Sequence, residues 1–202
     1  MKMKKILPLA INLLFAVSLN AQTAKEAFIS MPEVLLPDLN LYSRMDLVDL
    51  YNANQQAVIA NSFGDTLTLE KLTTDYLLLK TGKGSLQIIA LQMINESHLY
   101  CIIHTVCGPV CDSRVDFYSV SWNPLNSNTF IMPATKTEFI SENPDFPALD
   151  ISLMQWEYDP ETSVLQQIYN TPEYLSLEDQ NRIRPFIKER AKEYRWNGVR
   201  FE

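Results

Sequence analysis

Between residues 57 and 122 six short β-prone runs follow one another with no helical pattern between them, and this constrains the fold more than any other stretch. The runs are Ala57 to Phe63, Thr66 to Leu72, Asp75 to Thr81, Leu86 to Ile94, Leu99 to Val106 and Asp112 to Trp122. Gly64-Asp65, Gly82-Lys83-Gly84 and Asn95-Glu96-Ser97 punctuate them as turns. A parallel neighbour needs a crossover of a dozen or more residues, and these gaps are too short for one. Consecutive strands must therefore pair antiparallel, as a meander.

Helical signals flank this block. Thr23 to Ser30 places Ala24, Ala27 and Phe28 on one side and stops at Met31-Pro32. Ser43 with Asp46 reads as an N-cap pair opening a helix to about Asn52. Asn123 to Pro147 reads as a long surface connection, with a short strand near Phe130-Ile131-Met132. Leu149 to Tyr158 and Ser163 to Tyr169 read as strands joined by the turn Asp159-Pro160-Glu161-Thr162. Ser176 with Asp179 then caps a final helix whose stripe is Ile183, Phe186, Ile187, Ala191 and Tyr194, kinked or divided at Pro185. Trp196-Asn197-Gly198 is a turn that leads Val199 to Phe201 back to the sheet. The fold class expected is α+β: an antiparallel meander with helices packed from the N- and C-terminal segments.

The N-terminus reads as an export signal. Lys2, Lys4 and Lys5 precede an apolar run from Ile6 to Leu19 that is shorter than a membrane crossing requires. Cleavage is expected after Ala21, which leaves residues 22–202 as one globular domain, periplasmic or secreted, with no membrane span. Residues 1–21 carry three lysines and no acid, so their removal takes the formal charge from −7 to −10. Such a surface repels nucleic acid and anionic lipid. Ten of the acids lie between Thr137 and Asn181, a stretch without Lys or Arg, whereas Arg182 to Arg200 holds seven basic residues. This is either a basic segment near acidic neighbours or two separately solvated surfaces.

Cys107-Gly108-Pro109-Val110-Cys111 separates two of the strand-like runs. Pairing around it sets Cys107 opposite Cys111, Thr105 opposite Ser113, Ile103 opposite Val115 and Cys101 opposite Phe117, a core face. The other face pairs Val106 with Asp112, His104 with Arg114, Ile102 with Asp116 and Tyr100 with Tyr118, and reads as wetter. In an oxidising compartment Cys107 and Cys111 are placed for a disulfide, with Cys101 a buried small hydrophobe. Three free thiols is the competing state. The series Cys101, His104, Cys107, Cys111 has the count of a zinc site, but period two turns His104 to the opposite face from the cysteines.

His104 with Asp112, Arg114 and Asp116 is the nearest approach to a reactive constellation, since cross-strand diagonals could bring the imidazole to a carboxylate. Ser113 falls on the other face, so no nucleophile accompanies it, and an ordinary polar sheet face explains the same residues. Gly82-Lys83-Gly84-Ser85 lacks the spacing of a phosphate loop and leads into a strand. The sequence carries neither Gly-x-Ser-x-Gly nor His-Glu-x-x-His, and no cofactor or metal is assigned.

Phe28-Ile29-Ser30-Met31-Pro32, Leu35-Leu36-Pro37, Arg44-Met45-Asp46-Leu47 and Cys107-Gly108-Pro109 with Asp112-Ser113, Phe117-Tyr118 and Trp122 together resemble a family. It is the group of uncharacterised exported Bacteroidota proteins classed as domain of unknown function 3256. The resemblance implies export and a single domain, and assigns no catalytic residue. The function expected is a non-enzymatic periplasmic binding or accessory module that meets an unknown envelope protein or ligand. Two other readings stand beside it: a hydrolase-like enzyme using His104 with nearby carboxylates, and an inhibitor-type protein presenting a sheet face.

Overall fold

A computed structural model describes residues 22–61, 64–141 and 146–202. The expected signal segment, residues 1–21, and the Phe63 end of the first β-prone run lie outside the described residues. The chain is α+β, and its centre is a seven-stranded sheet in the simplest order, each strand hydrogen-bonded to the next. The strands are β1 (Val58–Ala60), β2 (Thr66–Leu72), β3 (Tyr76–Thr81), β4 (Gly84–Gln92), β5 (His98–Cys107), β6 (Cys111–Ser119) and β7 (Pro124–Leu125), and every pairing is antiparallel.

Both faces of this sheet are covered. Helices α1 (Ala24–Ser30) and α2 (Leu41–Asn52) lie on one face and bury Phe28 and Leu47 against Leu67, Leu79, Ile88 and Ile102. The other face packs on a three-stranded sheet of β8 (Met154–Asp159), β9 (Val164–Tyr169) and β10 (Ala191–Arg195), where Ile89, Cys101, Ile103 and Phe117 meet Trp156, Tyr158 and Leu165. Period-two alternation therefore feeds two cores from one set of strands. The face of β5 and β6 expected to be wet is buried at Tyr100, Ile102 and Tyr118. It is open only toward the hairpin, where Val106 is 68% exposed.

Helix α1 begins at Thr23, whose hydroxyl accepts from Glu26 N at 3.1 Å while Glu26 Oε2 accepts from Thr23 N at 3.0 Å. Helix α2 is capped by Asn40, not Ser43. Asn40 Oδ1 accepts from the Ser43 amide at 2.9 Å, so the helix starts a turn earlier than expected. Arg44 joins the two helices: 2% exposed, it donates from Nη1 to the Phe28 and Met31 carbonyls at 2.9 and 2.5 Å, at the C-terminal end of α1. Burial lowers its pKa, and Glu33 offsets part of that. Two of the phrases that carry the family resemblance thus meet at one buried guanidinium.

The C-terminal third departs most from expectation. Helix α3 (Ser127–Phe130) and helix α4 (Lys136–Phe139) occupy the long connection, with no strand near Ile131, which is instead a buried core residue. Leu149 belongs to a 3-10 turn, and the strand after it begins only at Met154. After the short helix α5 (Thr171–Tyr174), helix α6 (Leu177–Ile183) passes into a 3-10 turn over Arg184–Phe186. Pro185 has no amide hydrogen and its ring clashes with the preceding turn, so α6 cannot continue. Ala191 and Tyr194, expected on the helix stripe, lie on β10 and pair with Ile168 and Leu165. The chain then folds back, pairing Trp196 with Phe201.

Buried amides lock the layers together. Gln87 Oε1 accepts from Tyr158 N at 3.0 Å, satisfying the open edge of β8, and Gln167 brackets the Ala134 backbone through both amide atoms at 2.8 and 3.0 Å. Of the basic C-terminal residues, Arg190 pairs with Glu173 and Arg182 with Asp179, so this segment does lie beside acidic neighbours.

Candidate functional site

The two-sheet stack has a hairpin end and a turn end, and each carries a concavity. At the hairpin end β5 and β6 pair in the expected register, including His104 opposite Arg114 and Ile102 opposite Asp116. Cys107 and Cys111 form a disulfide across the hairpin, with Cα atoms 4.0 Å apart. Cys101 is a free, fully buried thiol whose pKa burial pushes far above its ordinary value. Two bonds fasten the hairpin to the second sheet: Asn170 Nδ2 donates to the Cys111 carbonyl and Met154 N donates to Asp112 Oδ1, both at 2.8 Å.

His104 sits in a shallow groove of about 410 Å³ beside Val34, Leu35 and Val106. Its Nε2 is buried and has no hydrogen-bond partner. The carboxylates that could have oriented it are committed elsewhere, Asp116 to Arg114 Nε at 2.6 Å and Asp112 to β8. Ser113 bonds Thr105 across the strands at 2.8 Å on the opposite face. Burial lowers the His104 pKa, the Arg114 charge lowers it further and Asp116 opposes both. The four residues share a face, but they form an ion pair, an edge anchor and an isolated neutral imidazole. A general base is oriented by a further group, and among the described residues no carboxylate or hydroxyl is hydrogen-bonded to His104.

The larger cleft, about 970 Å³, lies at the turn end. Separate connections converge to make it: Thr74-Asp75 before β3, Glu96 before β5, Tyr158 and Ser163 flanking the β8–β9 turn, and Trp196 with Gly198 after β10. Glu96, Ser163 and Gly198 all have positive φ, at 65°, 55° and 88°, which turns the chain sharply at the rim. Trp196 Nε1 donates to the Gln92 carbonyl at 2.7 Å and Ile94 N donates to Gly198 O at 3.0 Å, stitching the C-terminal turn to β4.

Among the described residues the side chains of Glu96 and His98 make no hydrogen bond or ion pair, so the cleft offers a free carboxylate and a free imidazole beside the amides of Gln22 and Gln92. Asp75 adds a second carboxylate, partly occupied by the Thr73 hydroxyl at 2.9 Å. Among the described residues no Lys or Arg lines it. The back wall is apolar, with Leu91 and the largely buried Tyr158 ring, whose phenol pKa is raised chiefly by burial. This lining can bind a ligand by hydrogen bonds and apolar contact, and among the described residues it holds no hydrogen-bonded pair of nucleophile and base. Among the described residues no cluster of His, Cys, Asp and Glu could hold a metal ion, and no helix is long and apolar enough to cross a membrane. In the sequence Glu96 and Gly198 read as turn residues while Asp75 and Ser163 open strand-like runs; the signal that could have marked the site was that Asp75 and Glu96 flank connections at the same end of the antiparallel meander.

Comparison with known proteins agrees with this architecture. The structure of a domain of an uncharacterized protein from Porphyromonas gingivalis W83 superposes with a TM-score of 0.77 at 27% identity, over 88% of this chain and 97% of that one. Proteins of curated function give no match. The family model described as "Protein of unknown function (DUF3256)" matches residues 16–201. With nearly the whole described fold inside that match, this chain belongs to the DUF3256 family.

Proposed function

We propose that this is an exported, single-domain, non-enzymatic binding module, which meets a protein or ligand of the cell envelope at the turn-end cleft. The observation that carries the reading is the contrast in hydrogen-bonding state. At the cleft Glu96 and His98 are unengaged, beside the apolar surface of Leu91 and Tyr158. At the His104 groove the carboxylates are already used within the fold, which argues against the hydrolase reading. Export is supported by the charged and apolar N-terminus, and a hairpin disulfide suits an oxidising compartment.

Site-specific photo-crosslinking in the native envelope tests this. A photoreactive residue at position 96 is expected to capture a discrete partner, and one at position 106, on the exposed hairpin, is not. Capture from position 106 alone, or from neither, would overturn the assignment of the cleft.

A further inference from the structure

We propose that the mature chain begins at Gln22 and that this residue cyclises to pyroglutamate. The proposal rests on the export reading and adds a covalent step to it. The apolar run ends in Asn20-Ala21-Gln22, and a cut after Ala21 makes Gln22 the new N-terminus. The fold sets a limit on how far downstream the cut can fall. Thr23 supplies both halves of the capping box of α1, and Ala24, the next small residue that could precede a cut, is fully buried and donates its N–H to the Thr74 carbonyl at 2.9 Å. A cut after Ala24 would strip the folded chain of its cap and of a core residue.

Once Gln22 carries a free α-amine, the reaction needs no second reactant. The amine nitrogen attacks the side-chain Cδ, the N–Cδ bond forms, the Cδ–Nε2 bond breaks, and the side-chain nitrogen leaves as ammonia with the displaced proton. The product is a neutral lactam. The fold permits this closure. Gln22 is half-buried at the mouth of the cleft, and among the described residues its Oε1 accepts only from the Tyr100 hydroxyl, at 3.4 Å, so the carboxamide is not locked away from its own backbone nitrogen. The Gln22 carbonyl and the Thr23 N–H take no part, so the capping box survives. Closure also removes the α-ammonium that would otherwise stand at a cleft lined by Asp75 and Glu96. The cleft then presents its carboxylates without an internal counter-charge.

The test is intact-protein mass spectrometry, after reduction, of the chain expressed with its own N-terminus and recovered after export. The expected mass is that of residues 22–202 less one ammonia, with the terminus blocked to stepwise degradation and opened by a pyroglutamyl peptidase. Gln22→Asn and Gln22→Ala, which cannot form this lactam, are expected to keep the same cut and show no ammonia loss and an open terminus. A chain of residues 22–202 that retains the ammonia overturns cyclisation while leaving the export reading intact. A chain cut at another position overturns the proposal and leaves export standing, and a chain that keeps residues 1–21 overturns both.

Discussion

The two ends of the sheet stack are built from the same kind of element, short connections between antiparallel strands, yet they are finished in opposite ways. The hairpin end is closed: a disulfide joins Cys107 to Cys111, Asn170 and Asp112 tie the tip to the second sheet, and the β3–β4 turn packs directly against β5, with Cys107 N donating to Lys83 O at 2.7 Å. The turn end is open, stitched chiefly by backbone bonds of the C-terminal turn and leaving Glu96 and His98 unengaged. Binding requires groups that the fold itself has not used. Polar residues alone therefore do not mark a site. The hairpin end has more charged side chains in one short stretch, but their bonds are already made.

Identical substitutions at the two ends should separate them most sharply. Gly84 lies against β5 so closely that an added Cβ would fall 1.9 Å from the Thr105 carbonyl oxygen. Backbone must move to relieve that, so Gly84→Ala is expected to cost about 3 kcal/mol in urea unfolding. At Gly198 the added Cβ would meet Ile94 Cγ2 at 2.6 Å, the branch methyl of a side chain that is 75% exposed and has room to change its χ1 rotamer. What remains is the penalty of φ +88°, and Gly198→Ala is expected to cost only about 1–2 kcal/mol. Equal losses at both sites would mean that the turn end is as rigid as the hairpin end, and the contrast would fail.

The disulfide provides the next test. It closes a loop of only five residues, and the chain-entropy relation assigns such a loop about 2 kcal/mol. Cys107→Ser with Cys111→Ser should lower unfolding stability by about that amount. Hydrogen exchange should rise at the Met154 amide, whose acceptor Asp112 sits beside Cys111, and stay unchanged at the Ile94 amide, which is bonded to Gly198 at the cleft rim. Faster exchange at both would show the ends to be coupled.

Much of the hairpin end was legible in the sequence. Period-two alternation and the two cysteines fix the register from Cys101 to Phe117, because a slip by one residue would move every core side chain to the wrong face. The pattern could not show what covers each face. Tyr100 and Tyr118 read as a wet pair because their cover, α1 and α2, comes from a distant segment. The same limit explains β10: Ile183, Phe186, Ile187, Ala191 and Tyr194 keep helical spacing, and only pairing with β9 decides that the last two are in a strand. The cleft was illegible as a site because Thr74-Asp75, Glu96, Ser163 and Gly198 meet only after both sheets are stacked. Glu96 and Gly198 were visible as turn residues and Asp75 and Ser163 as strand starts, and neither signal carries information about its neighbours in space.

The smallest effect bears on the His104 groove. Burial, with Arg114 adding to it, holds the imidazole pKa below its ordinary value in the folded chain, against the opposing pull of Asp116. The folded state therefore binds this proton less readily than the unfolded state does. The resulting stability is fully present above the unfolded value of about 6.5 and is lost as pH falls through the lower folded value. His104→Leu should remove that part of the pH dependence, so the stability difference between wild type and variant is expected to be flat above pH ~6.5 and to shift against the wild type below it. Arg114→Ala should shrink the acid loss in the otherwise native chain, because it removes the second cause of the shift and leaves Asp116 unpaired beside the imidazole. If Arg114→Ala instead deepened the loss, His104 would be answering to groups other than its own strand pair, and the hairpin end would not be the surface of already paired charges that sets it apart from the cleft.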